Sequence, residues 1–509
     1  MPAEFAPSSL YTAAETRELD RLAIEEGGLP GIVLMKRAGR AVWQWLRQRW
    51  PDARTVTVVC GGGNNGGDGY IVAGLAAQQG FQVRLIAATE PARLRDDAAR
   101  ARDFAFAAGV VAEPADSPLE ADVIVDALLG TGVSGDVRSG HAALIEAMNA
   151  SGRPVLALDV PSGLCSDTGQ VCGVAVRAQA TLTFIGVKRG LYTAAGPVYR
   201  GDLVFAGLGV PEWVYGRVGG QVRRLGLADM LHALPPRARD AHKGHYGHVL
   251  VVGGERGYGG AVALAAEGAL RTGAGLISVA TRPDHVAALL ARHPELMVRG
   301  ISSGAELVPL LENASAVVVG PGLGQSGWSE QLLQRVLAAR KPTLIDADGL
   351  NLIARLGWRP AHDIPLVLTP HPGEAARLLD CTVREVQKDR FASAIQLSQR
   401  YQAEALLKGV GSIMASADHS SVDLCSYGNP GMASGGMGDV LSGIIGALLA
   451  QGLQTATALR LGVCLHAAAA DQAARQHGEA GLAATDLMIP LRQLINRRSR
   501  AVEVSPWAS

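Results

Sequence analysis

Short runs of apolar, mostly β-branched residues punctuate the chain, and stretches with apolar residues three and four apart separate them. The first stretch, 12–50, has helical spacing and is broken near Gly27 by the run Glu-Glu-Gly-Gly-Leu-Pro-Gly. Five strand-like runs follow, at 55–59, 83–87, 122–128, 154–160 and 180–186, each leading into a stretch expected to be helical. The rhythm stops between about Arg217 and Gly244, where Pro235-Pro236 and mixed charges read as a linker. It resumes at 248–254, 276–282, 316–322, 342–349, 366–373 and 404–412, and an Ala-rich helical third closes the chain. Strands alternating with helices predict right-handed crossovers and parallel, doubly wound sheets. The expectation is α/β with two doubly wound domains, 1–225 and 226–509.

Composition agrees with that class. The 509 residues amount to about three ordinary domain lengths of roughly 150, which suits two large domains. Hydrophobic residues reach 48% with aromatics at only 5%, so the core is built from Ala, Val, Leu and Ile, and disorder is excluded. Forty-seven basic residues balance 47 acidic ones, leaving no general field for nucleic acid or an anionic membrane. The six cysteines show no paired zinc spacing and no disulfide framework, so a reducing compartment is expected. The N-terminus shows no signal pattern and the longest apolar segment, 440–450, is too short to span a bilayer, so a cytoplasmic protein is expected.

In the first half, Gly61 to Gly66 fits GxGxxG directly after a strand. Alone this is weak, because any tight strand-to-helix turn recruits glycine, and only Glu90 stands near the place of the acidic ribose ligand. Asn64, Asn65 and Asp68 add costly polar groups to the expected loop, with oxygens suited to a hard cation or polar ligand. Asp126, the loop 130–136 and Asp159 end further strands, and carboxyl ends of a doubly wound sheet share one rim. A lone Asp there is commonly a helix cap. Three such polar, Gly-rich loops favour a site.

GGGNNGGDG, DALLGTGVSGD and LDVPSG resemble the N-terminal epimerase domain of the NAD(P)H-hydrate repair enzymes over about residues 10–215. The resemblance implies that Asn64, Asn65, Gly66, Gly67 and Asp68, with Gly130, Thr131, Gly132, Val133, Ser134, Gly135 and Asp136, hold the hydrated cofactor. Asp159 is implied as a further contact, and Asn65, Asp126 and Ser162 as ligands of a potassium ion. The R and S hydrates at C6 must interconvert, which asks for an acid–base group near C6, and Asp159 is the candidate.

The second half is more informative. In NPGMASGGMGDVLSGIIGALL, Gly435, Gly436 and Gly438 precede Asp439 and an apolar helix. Backbone N–H groups at that terminus can receive phosphate oxygens, and Asp439 can take a proton from an attacking hydroxyl. The plainer reading makes Asp439 a helix cap and the glycines turn residues. LKGVGS suits a nucleotide, DADGLN places two carboxylates at a strand end, TPHPGE supplies His371 and Glu374, the latter toward Mg²⁺ through water, and GPGLG is another ligand loop.

These motifs, with 244–280, look like the dehydratase domain of the same family, which has the ribokinase-like fold, over about residues 225–500. The first half is expected to be a Rossmann-like three-layer sandwich. By motif, the resemblance implies that Ala261, Gly322, His371 and Asp439 contact the hydrate, and that Lys408, Gly409, Val410, Gly411, Ser412 and Gly438 bind ADP or ATP. It implies phosphorylation of the C6 hydroxyl and loss of phosphate to give NADH or NADPH. Expected partners are hydrated NADH or NADPH, an adenine nucleotide and a second copy of the chain in a homo-oligomer. The rival enzyme is a ribokinase-like vitamin-precursor kinase with a fused nucleotide-binding domain, and the rival of another class is a nucleotide-binding scaffold.

Overall fold

The computed structural model describes residues 8–133, 135–359 and 364–496. The chain divides into two compact units, Met1–Arg223 and Arg224–Ser509.

The first unit opens with the helices Ala13–Glu25 and Gly31–Arg49, separated at the expected Gly-rich break. Its sheet has seven strands: β1 (Thr55–Cys60), β2 (Gln82–Ala87), β3 (Ala112–Glu113), β4 (Val123–Ala127), β5 (Val155–Leu158), β6 (Ala180–Phe184) and β7 (Asp202–Ala206). All pair in parallel in the order β3-β2-β1-β4-β5-β6-β7. The pleat sends alternate residues to opposite faces. Val56, Val58, Leu85 and Val125 join Leu46 of Gly31–Arg49 and Ile71 of the helix Asn64–Gln78 in one core. Val59, Ile86, Ile124 and Ala157 pack with Leu144, Ile145 and Met148 of the helix Ser139–Ala150 in another. Both faces are covered, giving three layers.

Two expectations need correction. Asn64, Asn65, Gly66, Gly67 and Asp68 lie in the first turns of the helix Asn64–Gln78, not in a loop, because Gly63 already serves as its N-cap. Nor does an α-helix follow β5: the chain from 159 to 179 is irregular, so Asp159 caps nothing and takes a left-handed backbone with φ 64°. The strands β3 and β7 went unrecognised in the sequence.

In the second unit the strands are β8 (His248–Val252), β9 (Leu276–Thr281), β10 (Met297–Gly300), β11 (Ala316–Val319), β12 (Thr343–Ile345), β13 (Leu366–Leu368), β14 (Glu404–Leu407), β15 (Ser412–Ala415) and β16 (Val422–Cys425). They follow the order β16-β15-β14-β13-β12-β11-β8-β9-β10, with β15 antiparallel to both β14 and β16. One face packs on the helices Gly259–Thr272, Met437–Ala450, Thr455–His477 and Met488–Ile495. Gly443 sits where a Cβ would come 1.9 Å from the Ala265 carbonyl oxygen, so two of these helices meet backbone to backbone. Strand order reverses at β1/β4 in the first sheet and at β8/β11 in the second. Crevices outside the carboxyl ends of such strands are where doubly wound sheets take ligands.

Candidate functional sites

At the first switch point, the turn after β1 is closed by Gly61 N–H donating to Ala127 O at 3.0 Å. A Cβ on Gly66 would lie 2.1 Å from Gly61 O, so the helix Asn64–Gln78 can start this close to the strand only with glycine there. Asn65 Nδ2 donates to Leu129 O at 2.9 Å, drawing the loop after β4 onto the helix terminus, and a Cβ on Gly130 would stand 3.3 Å from the Asn65 Cβ. The Asn65 Oδ1 is buried without a hydrogen-bond partner among the described residues.

Beside it, Asp126 is fully buried in β4. Its Oδ2 accepts from Ser162 N–H at 2.8 Å and its Oδ1 from Ser162 Oγ at 2.6 Å and Leu128 N–H at 3.2 Å. Burial pushes this carboxyl up to about 6, against the hydrogen bonds from Ser162 and Leu128. An orphaned amide oxygen, a hydroxyl oxygen and a buried carboxylate with no cationic side chain bonded to it form an all-oxygen donor set that fits a large hard cation.

The rest of the loop, Thr131, Gly132, Val133, Gly135 and Asp136, continues along the same rim; Ser134 lies outside the described residues. Asp136 turns toward the 172–173 turn, where a Cβ on Gly173 would come 3.6 Å from the Asp136 Cβ. Asp159, just past β5, forms an ion pair with the buried Lys188. Its Oδ1 also accepts from Thr183 Oγ1 and Phe184 N–H, both at 3.1 Å. Lys188 further donates to Phe184 O at 2.9 Å. Two carboxyls close to this pair are pushed up: Asp20, to about 6, and Asp68, well above the usual range, in both cases first by burial. Sequence reasoning missed Asp20 and Lys188, neither of which belongs to a motif in the chain.

The second switch point gathers the other candidates. Glu255 N–H reaches Gly322 O at 2.6 Å, and a Cβ on Gly322 would stand 3.1 Å from the Ala261 Cβ, so these two predicted contacts are neighbours. Asp346 follows β12 and is 2% exposed. Its Oδ1 accepts from Lys408 Nζ at 2.8 Å and its Oδ2 from Ser442 Oγ at 2.8 Å. Lys408 Nζ lies 3.9 Å from Glu374 Oε2, and His371 Nε2 lies 3.4 Å from Glu374 Oε1. His371 is the N-cap of the helix Pro372–Leu379, accepting from Gly373 N–H at 3.0 Å.

Asp439 occupies the third position of the helix Met437–Ala450, whose N-cap is Gly436 with φ 88°. The N-cap position is thus filled by Gly436, and Asp439 stands as the acidic residue of the first turn. A Cβ on Gly438 would sit 3.4 Å from Lys408 Nζ and 3.6 Å from Asp346 Oδ2, which puts this helix terminus against the charged cluster. First-turn N–H groups have no intrahelical acceptor and are open to an anion. Burial, followed by the charge on Asp346, pushes Asp439 up to about 7. Burial likewise pushes Glu374 up to about 7. For Lys408, burial works against the ammonium but the carboxylates around it prevail, and its pKa stays above the ordinary value.

Gly409, Val410 and Gly411 form the turn into Ser412. The buried Arg390, which sequence reasoning missed, donates to Leu407 O and Lys408 O at 3.3 Å and to Gly411 O at 3.4 Å. A Cβ on Gly409, whose φ is 141°, would stand 2.9 Å from that guanidinium. Among the described residues no three His, Cys, Asp or Glu side chains are grouped to hold a metal.

Relatives decide what these sites belong to. The family model described as NAD(P)H-hydrate dehydratase matches residues 249–492, and that described as YjeF-related protein N-terminus matches 31–190. The bifunctional NAD(P)H-hydrate repair enzyme of Coxiella burnetii is 49% identical over 96% of this chain and 99% of its own. The chain belongs to the bifunctional NAD(P)H-hydrate repair enzymes. The member from Escherichia coli is 44% identical over 96% of this chain and 94% of its own. A ribokinase-like superfamily protein of Enterococcus faecalis, 30% identical, superposes with TM-score 0.50 over 54% of this chain and 96% of its own. The two switch-point crevices fall one in each matched region. No described helix is long and apolar enough to cross a membrane.

Proposed function

We propose that the chain repairs hydrated NADH and NADPH, with residues 1–225 epimerising the R and S hydrates at C6 and residues 226–509 dehydrating the S form at the expense of ADP. Family membership over nearly the full length supports both activities. The observation that carries the residue roles is Asp439, a carboxyl poised at about 7 in the first turn of a helix whose N–H groups are open. A general base works best when its pKa lies near the working pH.

In the second unit, Asp439 takes the proton of the C6 hydroxyl as its oxygen attacks the terminal phosphorus of the nucleotide. The first-turn N–H groups, Gly438 and Lys408 hold the phosphate oxygens. The lone pair of the ring nitrogen then expels phosphate from C6, a far better leaving group than hydroxide, and loss of a proton from C5 to water closes the C5–C6 double bond of the reduced nicotinamide. Ala261, Gly322 and His371 line the hydrate, and 409–412 the adenine nucleotide. Mg²⁺ would enter with the nucleotide phosphates, near Glu374.

In the first unit, Asn64 to Asp68 and 130–136 hold the hydrate and Asp159 exchanges a proton at C6. Asn65, Asp126 and Ser162 would hold potassium, which neutralises the buried carboxylate and fixes the loop after β4. A cytoplasmic homo-oligomer belongs to the same proposal. Incubation with both hydrate epimers, ADP, Mg²⁺ and K⁺ tests it. The reduced-nicotinamide absorbance should return from both epimers. A vitamin-precursor kinase would consume nucleotide and leave a stable phosphoester, and a scaffold would do neither.

A further inference from the structure

The carboxyl cluster of the first unit has more acids than its single ammonium can neutralise. Asp159 and Lys188 are in contact, and Asp159 Oδ1 takes two further donors. Asp68, on the helix Asn64–Gln78, makes no side-chain hydrogen bond or ion pair among the described residues. It nonetheless feels Asp159, Asp20 and Lys188, and the buried Cys60 thiol lies within reach of its charge. Three carboxylates around one ammonium cannot all be ionised in a buried site, and neighbouring carboxyls with different environments split into an acid and a base.

We propose that Asp68 is the proton donor of the epimerisation and Asp159 the acceptor, with Asp20 and Lys188 as positioning residues, Asp20 holding the proton on Asp68 and Lys188 holding Asp159 ionised. The inference rests on the epimerase reading above. Asp68 gives its proton to the C6 hydroxyl as the C6–O bond breaks; the bonding pair leaves with the oxygen as water, and the N1 lone pair forms the N1–C6 double bond. Water then adds to the opposite face and loses a proton to Asp159 Oδ2, the oxygen left open by Lys188, Thr183 and Phe184. Bulk water returns that proton to Asp68. Burial and the neighbouring charges raise Asp68 in the sense this division of labour needs.

Epimerisation by the full chain, followed by chromatographic separation of the R and S hydrates, provides the test. Asp68→Asn should lower the rate by about 100-fold or more, the usual contribution of a positioned acid, while nucleotide-dependent dehydration by the other unit persists. In the wild type, the rate should fall as pH rises through the titration of the donor. Asp20→Asn removes a like charge and should move that limb to lower pH; Lys188→Met removes the cation and should move it to higher pH. A structural role for either residue would change the rate without moving the limb. An Asp68→Asn variant within about threefold of wild type, or a limb that neither substitution moves, overturns the assignment. A wild-type chain that never epimerises overturns the underlying reading instead.

Discussion

Replacing Asp439 by Asn changes one proton-accepting oxygen and almost no volume. The carboxyl lies partly buried in the first turn of Met437–Ala450, and its pKa rises from 3.8 to about 7, first through burial and then through Asp346, with Lys408 opposing. The folded chain therefore binds this proton more tightly than the unfolded chain. The resulting stability is complete below the unfolded value and is lost as pH climbs to about 7. At 1.36 kcal/mol per pH unit this amounts to roughly 4 kcal/mol, and solvent at a partly exposed group trims it to roughly 2–4 kcal/mol. Asparagine carries no such cost. Asp439→Asn should raise the thermal midpoint of the second unit at pH 8, and by about 1 kcal/mol less at pH 6, where the native carboxyl is still mostly protonated. Dehydration should move the other way, falling by about 10²–10⁴-fold as the base is lost. The wild-type rate should climb with pH through about 7, and the variant should lose that limb. Both readouts need only calorimetry and the hydrated-NADH assay with saturating ADP. Near-normal dehydration by the variant, or no gain in stability at pH 8, would refute the placement of Asp439 as a buried base.

Asp126→Ala should weaken the potassium dependence of epimerisation and slow it, with dehydration by the same chain unchanged; equal loss of both activities would point to misfolding. Arg390→Met removes the guanidinium that gathers the carbonyls of Leu407, Lys408 and Gly411. Calorimetric titration should show ADP affinity falling by about tenfold, since at least one charge-assisted bond of roughly 1.5–3 kcal/mol that orders the loop is lost. Expressed separately, 1–225 and 226–509 should each fold, the first epimerising without nucleotide and the second dehydrating only the S form; aggregation of both fragments would contradict this.

What could be read from the chain follows from how each element is buried. Strands such as β1, β4, β8 and β11 are covered on both faces and appear as continuous apolar runs, which set them apart from the helical stretches. β15 and β16 form an antiparallel end of their sheet, and β16 carries the buried Asp423 paired with Arg460, so its polar content hid it. The two-residue β3 has too few positions to show a period at all. Residues 64–68 were taken for a loop because asparagine and glycine favour turns, yet Gly63 caps the helix and the glycines beyond it permit contacts with β1 and the helices 31–49 and 96–107.

The candidate loops stood out in the sequence because glycine and carboxylates at strand ends are costly unless they serve a ligand. Their supports did not. Lys188, Asp20 and Arg390 are residue types that almost always face water, and the apolar residues beside them in the chain do not identify the partners they meet. Only the folded chain shows that Lys188 meets Asp159 from 29 residues away, and that Arg390 reaches the 408–411 turn from the preceding helix. A buried charge needs its partner in place, because removing either leaves the other unpaired in a poor solvent. Conversely, the partner fixes what the charge can do. Lys188 is in contact with Asp159 and not with Asp68, so two carboxyls that look alike in sequence have different environments, and on the proposal above they divide into an acceptor and a donor.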